Sequence, residues 1–291
     1  MSVDFDREKS WWDAKAEKEA TDLADEAINR ELRWRELERH LDGVESILDV
    51  GGGTGAFSIP LARRGFKVTH VDFSPAMIDI ARSKAEGIQG IQFVEANSTD
   101  LPCEDCAFDL VLNMDGAVSF CGSEAELALA ETCRVARKTV VVTVANRAIQ
   151  VPGWIRTSIG TCGSFIPAVR DMLHKGEWHQ DRHPENAIMA RGYTQDYLGA
   201  FKAFLPGELR SLLEARNMSV SRIGGIGSLA FLCGLETIQR IVSDSKLLEE
   251  FIEICDYYDR EILPQGPGTC MRAGLIAVAT RETDTLAQAC L

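Results

Sequence analysis

The chain has 291 residues, 45% of them hydrophobic and 26% charged, which is enough to bury a full core in one large domain or two small ones. Its 44 acidic and 31 basic side chains leave a net charge of -13, and no basic run exceeds a pair, which argues against a phosphate backbone or an anionic membrane as partner. No stretch is apolar enough to span a bilayer and residues 1–25 lack the apolar run of a signal peptide, so a cytoplasmic location is expected, where nine irregularly spaced cysteines read as buried free thiols.

In chain order, residues 4 to about 41 predict a helix: Leu23, Ile28, Leu32, Leu37 and Leu41 recur at roughly helical spacing among charges, with Trp11 and Trp12 near its start. After Gly43, short β-branched runs alternate with amphipathic stretches. Ser46–Val50 predicts a strand, Ala56–Arg64 a helix closed by Gly65, and Lys67–Asp72 a second strand. Pro75–Ala85 predicts a helix with Ser74 as cap and Pro75 at its first position. Strands follow at Ile91–Glu95 and Asp109–Met114, then a helix over Ser123–Arg137 and a valine-rich strand over Thr139–Ala145. The rhythm breaks at 147–203, returns with a helix at Pro206–Arg216 and a strand at Met218–Gly224, and closes on a strand at Leu275–Thr280. Strands alternating with helices predict an α/β fold, a doubly wound and mostly parallel sheet. Four segments are expected: an N-terminal helical cap at 1–40, a nucleotide-binding core at 41–146, a lid and acceptor insertion at 147–204, and the rest of the core at 205–291 with a helical insertion at 228–272.

The chemistry concentrates at Ile47-Leu48-Asp49-Val50-Gly51-Gly52-Gly53-Thr54-Gly55. Glycines at this turn permit positive φ and let a ligand touch the backbone, and the following helix points free N–H groups at it. Asp72, ending the second strand, can accept hydrogen bonds from both hydroxyls of a ribose. The turn also fits the dinucleotide fingerprint G-x-G-x-x-A through Gly51, Gly53 and Ala56, which makes an NAD(P)-dependent oxidoreductase the rival reading. Three features oppose it. Asp49 would repel a pyrophosphate but suits a ligand carrying an ammonium group. Met77, in Asp72-Phe73-Ser74-Pro75-Ala76-Met77, offers an apolar rest for a flat adenine. The stretch from Asn97 through Leu101-Pro102 leads by an acidic loop into the strand Phe108–Leu112.

Taken together, these motifs resemble the class I, Rossmann-like S-adenosylmethionine-dependent methyltransferases, in particular the small-molecule group with the quinone-biosynthesis enzymes. The resemblance covers about 45–145 and returns at 205–224 and 275–280. It implies a seven-stranded sheet with an antiparallel last strand. It implies that Gly51, Gly53 and Gly55 line the methionine end of the cofactor, that Asp49 helps hold its amino group, and that Asp72 binds the ribose. Phe73 and Met77 would flank the adenine. Asn97 and Ser98 stand where the family usually has Asp-Ala, facing the adenine amine, and Asn113, Met114 and Asp115 would lie near the sulfonium and the acceptor.

The expected reaction is methyl transfer to a small-molecule acceptor, with no nucleic acid or membrane partner and a homodimer left open; a non-catalytic S-adenosylmethionine-binding protein is the further alternative. Base candidates are His174, His179, His183 and Asp115. His179 and His183, four apart, could share a helix face, but no metal is expected. Trp11, Trp12, Trp178, Arg191, Tyr193 and Tyr197 are the candidate pocket residues. Cys103-x-x-Cys106 lacks a second pair and reads as two ordinary thiols.

Overall fold

The computed structural model describes residues 3–20, 24–179, 199–268 and 274–281. Its centre is a sheet of nine strands. Strands β1 (Ser46–Val50), β2 (Lys67–Asp72), β3 (Ile91–Glu95), β4 (Phe108–Asn113) and β5 (Ala136–Asn146) run parallel in the order β3-β2-β1-β4-β5. Helices α4 (Ser58–Arg63), α5 (Pro75–Lys84), α6 (Ala117–Phe120) and α7 (Ala125–Val135) link them. The last strand, β9 (Leu275–Arg281), pairs antiparallel with β5 and with β8 (Met218–Gly225). These seven strands form the mixed core that the motif pattern implies.

The alternation of side chains explains the layers. Successive residues of a strand face opposite ways, so a strand covered on both sides is apolar throughout. Ile47, Leu110, Leu112 and Val141 pack with Ile28, Leu32 and Leu37 of α3 (Ala24–Glu38) and with Phe251 and Ile252 of α13 (Ser245–Tyr257). Leu48, Val111, Val140 and Val142 pack on the other face with Leu129 of α7 and with Leu209 and Leu213 of α10 (Pro206–Glu214). The segment between α10 and β9 adds α11 (Ser228–Cys233) and α12 (Leu235–Val242) ahead of α13.

Two strands extend the seven. At its far end β5 forks: β9 holds Thr139–Val144, and β7 (Ala200–Phe204) takes Ala145 and Asn146 in parallel. Strand β6 (Glu177–His179) lies antiparallel on β7. The irregular stretch expected after residue 147 therefore contains regular structure: α8 (Arg147–Cys162), α9 (Pro167–Lys175) and β6. Asn146 starts α8 by accepting the Ala148 N–H at 2.9 Å. Buried Arg147 clamps the roots of this segment through both carboxylate oxygens of Glu208, at 2.8 and 2.6 Å, and the Lys175 carbonyl.

Three expectations need correction. The single helix over 4–41 is broken into α1 (Phe5–Asp13), α2 (Ala16–Glu19) and α3. Asp13, the last residue of α1, accepts from Ser74 Oγ at 2.5 Å and the Ala76 N–H at 3.3 Å, a tertiary cap on α5 that ties this end of the helix to the core. His179 sits on a strand, not on a helix face with His183, because β6 pairs its backbone with Ala200. Cys103, Cys121, Cys133, Cys233 and Cys255 are free thiols as expected, but Cys106 is disulfide-bonded. Among the described residues, no helix is long and apolar enough to cross a membrane.

Candidate functional site

A cavity of about 320 Å³ opens at the carboxyl ends of β1, β2 and β4, where ligands bind in open α/β sheets. One wall is local in sequence: Gly51, Gly52, Gly53, Thr54, Asp72, Phe73, Met77, Ala96, Asn97 and Ser98. The opposite wall is assembled from Phe5, Glu8, Trp12, Lys15, Arg30, Asp115, Phe120 and Cys121.

The glycine turn hangs from β2, because the N–H groups of Gly51 and Gly52 both donate to the Val71 carbonyl, at 2.8 and 3.0 Å. Gly51 has φ +67° and a Cβ there would overlap the methyl of Ala117, so no other residue fits. Gly53 has φ +53°, and a Cβ added to it would meet nothing within 4 Å. That bare backbone on the cavity wall leaves room for a ligand to lie against the chain.

Asp72 is buried and ties two segments together. Its Oδ2 accepts the Gly53 N–H at 2.8 Å and its Oδ1 accepts the Ser74 N–H at 2.9 Å. Burial pushes its carboxyl up to about 6, against the backbone hydrogen bonds from Ser74, Gly53 and Phe73 that favour the anion. Each oxygen has further acceptor capacity on the cavity side. Asn97 is held by its own turn, accepting the Thr99 N–H at 3.1 Å, and Ser98 Oγ lies 3.2 Å from Cys121 Sγ.

At the end of β4, Asp115 adopts φ +58° and pairs with Arg30 at 3.3 Å and with the fully buried Arg33. Two guanidiniums thus meet this one carboxylate and hold it in place at the cavity wall. From α1, Glu8 Oε1 accepts the Ala200 N–H at 2.8 Å, which fastens the helix to β7. Trp12 meets Phe120 edge-on at 5.0 Å, Phe120 meets Phe201 at 5.4 Å, and the Lys15 ammonium lies 3.5 Å from the Trp11 ring centroid. Among the described residues, no cluster of three His, Cys, Asp or Glu side chains is placed to hold a metal ion.

The sequence candidates divide as follows. Gly51, Gly53, Asp72, Phe73, Met77, Asn97, Ser98, Asp115 and Trp12 line the cavity. Asp49, 1% exposed, lies behind the glycine turn and not on the cavity wall. Gly55 packs against Ile59. Asn113 points into the core, where its Nδ2 donates to Thr132 Oγ1 at 3.0 Å, and Met114 packs with Leu110 and Leu112. Trp11 is buried beside Trp12. Trp178 is a core residue rather than a pocket residue, its ring tilted by 40° against Trp154 at 5.3 Å among Val169, Met172 and Phe201. His174 is exposed on α9 and His179 is buried on β6, and neither lines the cavity. His183, Arg191, Tyr193 and Tyr197 lie outside the described residues.

Sequence reading missed Glu8, Asp13, Lys15, Arg30 and Phe120, which come from separate elements. It also missed Ser58 and His70, which contact Asp49 beneath the turn. The one available signal was His70 itself, an ionisable side chain in the middle of a strand buried from Val68 to Asp72.

Residues 47–139 match the model of a methyltransferase domain. The chain is 41% identical over 86 residues to a demethylmenaquinone methyltransferase of Tropheryma whipplei, a match covering 28% of this chain and 36% of that protein. It is 39% identical over 116 residues to the demethylmenaquinone methyltransferase of Thermus thermophilus, covering 38% and 51%. These matches span between about a third and a half of the relatives' length. In fold the chain is similar to an S-adenosylmethionine-dependent methyltransferase from Methanosarcina mazei, with a TM-score of 0.53 at 16% identity over 84% of this chain and 96% of that one. The sheet is that of the class I methyltransferases, and the matched segment resembles the quinone-biosynthesis enzymes.

Proposed function

We propose that this chain transfers a methyl group from S-adenosylmethionine to a small-molecule acceptor by direct in-line displacement, releasing S-adenosylhomocysteine. The observation that carries the reading is the Gly53–Asp72 pair: a bare backbone at positive φ beside a buried carboxylate that accepts from it, both on one cavity wall. The residues fit the cofactor. Asp72 would take the ribose hydroxyls, Phe73 and Met77 the adenine, Asn97 the adenine amine, and the glycine turn the methionine end. When bound, the cofactor supplies an electrophilic methyl group.

The protein's own share is orientation and exclusion of water. Holding donor and acceptor in line contributes on the order of 7–11 kcal/mol to such reactions. Trp12, Phe120 and Phe5 give the second wall an apolar surface suited to a compact or aromatic acceptor. Asp115, ion-paired to Arg30 and Arg33, serves here to shape the wall more than to abstract a proton. Phe5, Glu8, Trp12, Lys15 and Arg30 on this wall support a cap role for residues 1–40, and no nucleic acid partner is assigned.

A thermal-shift comparison tests the reading. S-adenosylmethionine and S-adenosylhomocysteine should raise the melting temperature while NAD leaves it unchanged. A shift with NAD alone would replace methyl transfer with oxidoreduction.

A further inference from the structure

Beneath the glycine turn lies a group of three polar side chains that the proposed reaction does not use. Asp49 Oδ2 accepts a short hydrogen bond from Ser58 Oγ, and the same Ser58 Oγ lies 2.8 Å from His70 Nδ1. All three residues are essentially sealed from solvent, at 1%, 0% and 0% exposure. His70 Nε2 is buried and has no hydrogen-bond partner. The turn rests directly on this group, since a Cβ on Gly52 would overlap the His70 ring and approach Asp49 Oδ2.

Counting protons shows why three groups occur together. A serine hydroxyl has one hydrogen to donate. When Asp49 is anionic, Ser58 donates to it, so His70 Nδ1–H must donate to Ser58 and Nε2 is bare. A proton arriving at Nε2 lets Nδ1 release its hydrogen to Ser58 and Ser58 release its own to Asp49. The end state is neutral Asp49, Ser58 donating to Nδ1, and His70 protonated on Nε2 alone. One proton has entered, every hydrogen bond has reversed, and no side chain has moved.

We propose that Ser58 and His70 form a buried proton relay that sets the charge of Asp49, and that this charge, acting through the backbone of the turn, governs its hold on the ammonium end of the ligand. The proposal rests on the cofactor reading above. Asp49 is the charge under the ammonium site, and Ser58 and His70 are its positioning residues; none of the three lines the cavity. Burial raises the Asp49 carboxyl to about 6, opposed by Ser58; Asp72 on β2 raises it further and Arg30 on α3 lowers it. Burial also lowers His70 to about 4, opposed by the Gly53 backbone beside the ring, so the imidazole is neutral across the range in which Asp49 changes charge.

Two ligands isolate the effect. S-adenosylhomocysteine ends in an ammonium and a carboxylate whose charges are both constant between pH 5 and 8, whereas methylthioadenosine has the same adenosine and thioether with neither. Asp72 faces the part they share, so its titration cancels in the ratio of their affinities. Calorimetric titrations between pH 5 and pH 8 should show S-adenosylhomocysteine losing its advantage over methylthioadenosine by up to about tenfold as the pH falls from 7 to 5, the factor expected for one carboxylate titrating near 6. Ser58→Ala removes the donor that favours the anion and should move the midpoint of that ratio upward by about one pH unit. His70→Phe should move it in the same direction and serves if Ser58→Ala fails to fold. A ratio that stays constant from pH 5 to 8 in the parent, which needs no variant, overturns the proposal. So does a midpoint unchanged in both variants, since Asp49 would then titrate on its own. If neither nucleoside binds at any pH, the cofactor reading itself fails and takes the relay with it.

Discussion

The two walls of the cavity are built in different ways. The glycine wall comes from consecutive elements, β1 to β3 and their turns, and its bonds are backbone-centred: Gly51 and Gly52 to Val71, Gly53 and Ser74 to Asp72. The aromatic wall comes from α1, α3 and α6, backed by the start of β7, and it depends on contacts reaching across the chain, such as Glu8 to Ala200 and Arg30 to Asp115. A wall fixed by the sheet's own backbone bonds can hold an invariant ligand. A wall made of side chains on separate helices can be rebuilt for a different acceptor without touching the first.

Four substitutions test this division, from the largest expected effect to the smallest. Asp72→Ala removes both the ribose acceptor and the strap on Gly53. It should weaken S-adenosylhomocysteine binding by about a hundredfold or more, as loss of a charged hydrogen-bonding partner typically costs about 2–5 kcal/mol in a buried site; calorimetry checks it, and near-parental affinity would remove Asp72 from the site. Phe120→Ala cuts the contact between Trp12 and Phe201 and should lower kcat/KM for the acceptor by about tenfold while changing cofactor affinity less than about threefold, the 1.4 kcal/mol per decade being in the range of one lost aromatic pair. Equal losses in both would mean that the walls are not separable.

The third concerns pH. Asp49 is raised in the folded protein, so the native state binds its proton first and stability from this group falls as pH rises through about 6. Asp49→Asn should therefore stabilise the ligand-free protein at pH 8 by about 1–3 kcal/mol, with the gain shrinking towards pH 5. Denaturant melts at the two pH values measure the difference, and a gain that grows on acidification would reverse the sign. The smallest effect is expected for Asp13→Ala, which loses the cap on α5 and should cost about 1 kcal/mol of stability. Its effect on cofactor affinity should be slight, because Ser74 still caps Met77.

The same division explains what could be read from the sequence. β1, the glycine turn, β2 and Asp72 are contiguous, and their period and turn chemistry are local signals, so sheet and cofactor wall were legible. The segment after residue 147 was not, because α8, α9 and β6 hold together by burying Trp154, Val169, Met172 and Trp178 against one another. Trp178, which suggested a pocket, belongs to that segment's own core. Asn113 and Met114 failed to reach the cavity for a related reason: Asn113 ends β4 inside the sheet, Met114 after it is still buried, and the chain takes its left-handed turn only at Asp115. Arg30 and Arg33 lay hidden in a helix with charges all round, where nothing marks which cations face inward.

The fork at the end of β5 has a consequence for how such a protein can change. The chain departs into α8 immediately beyond Asn146 and returns along β7 with Phe204 paired to that same residue. The intervening excursion begins and ends at one fixed point, so inserting or exchanging residues within it leaves the sheet's register alone. Lengthening such a closed excursion costs little, about 0.6 kcal/mol for each doubling. The fork works as a socket that touches the aromatic wall where Phe201 of β7 meets Phe120, away from the glycine turn.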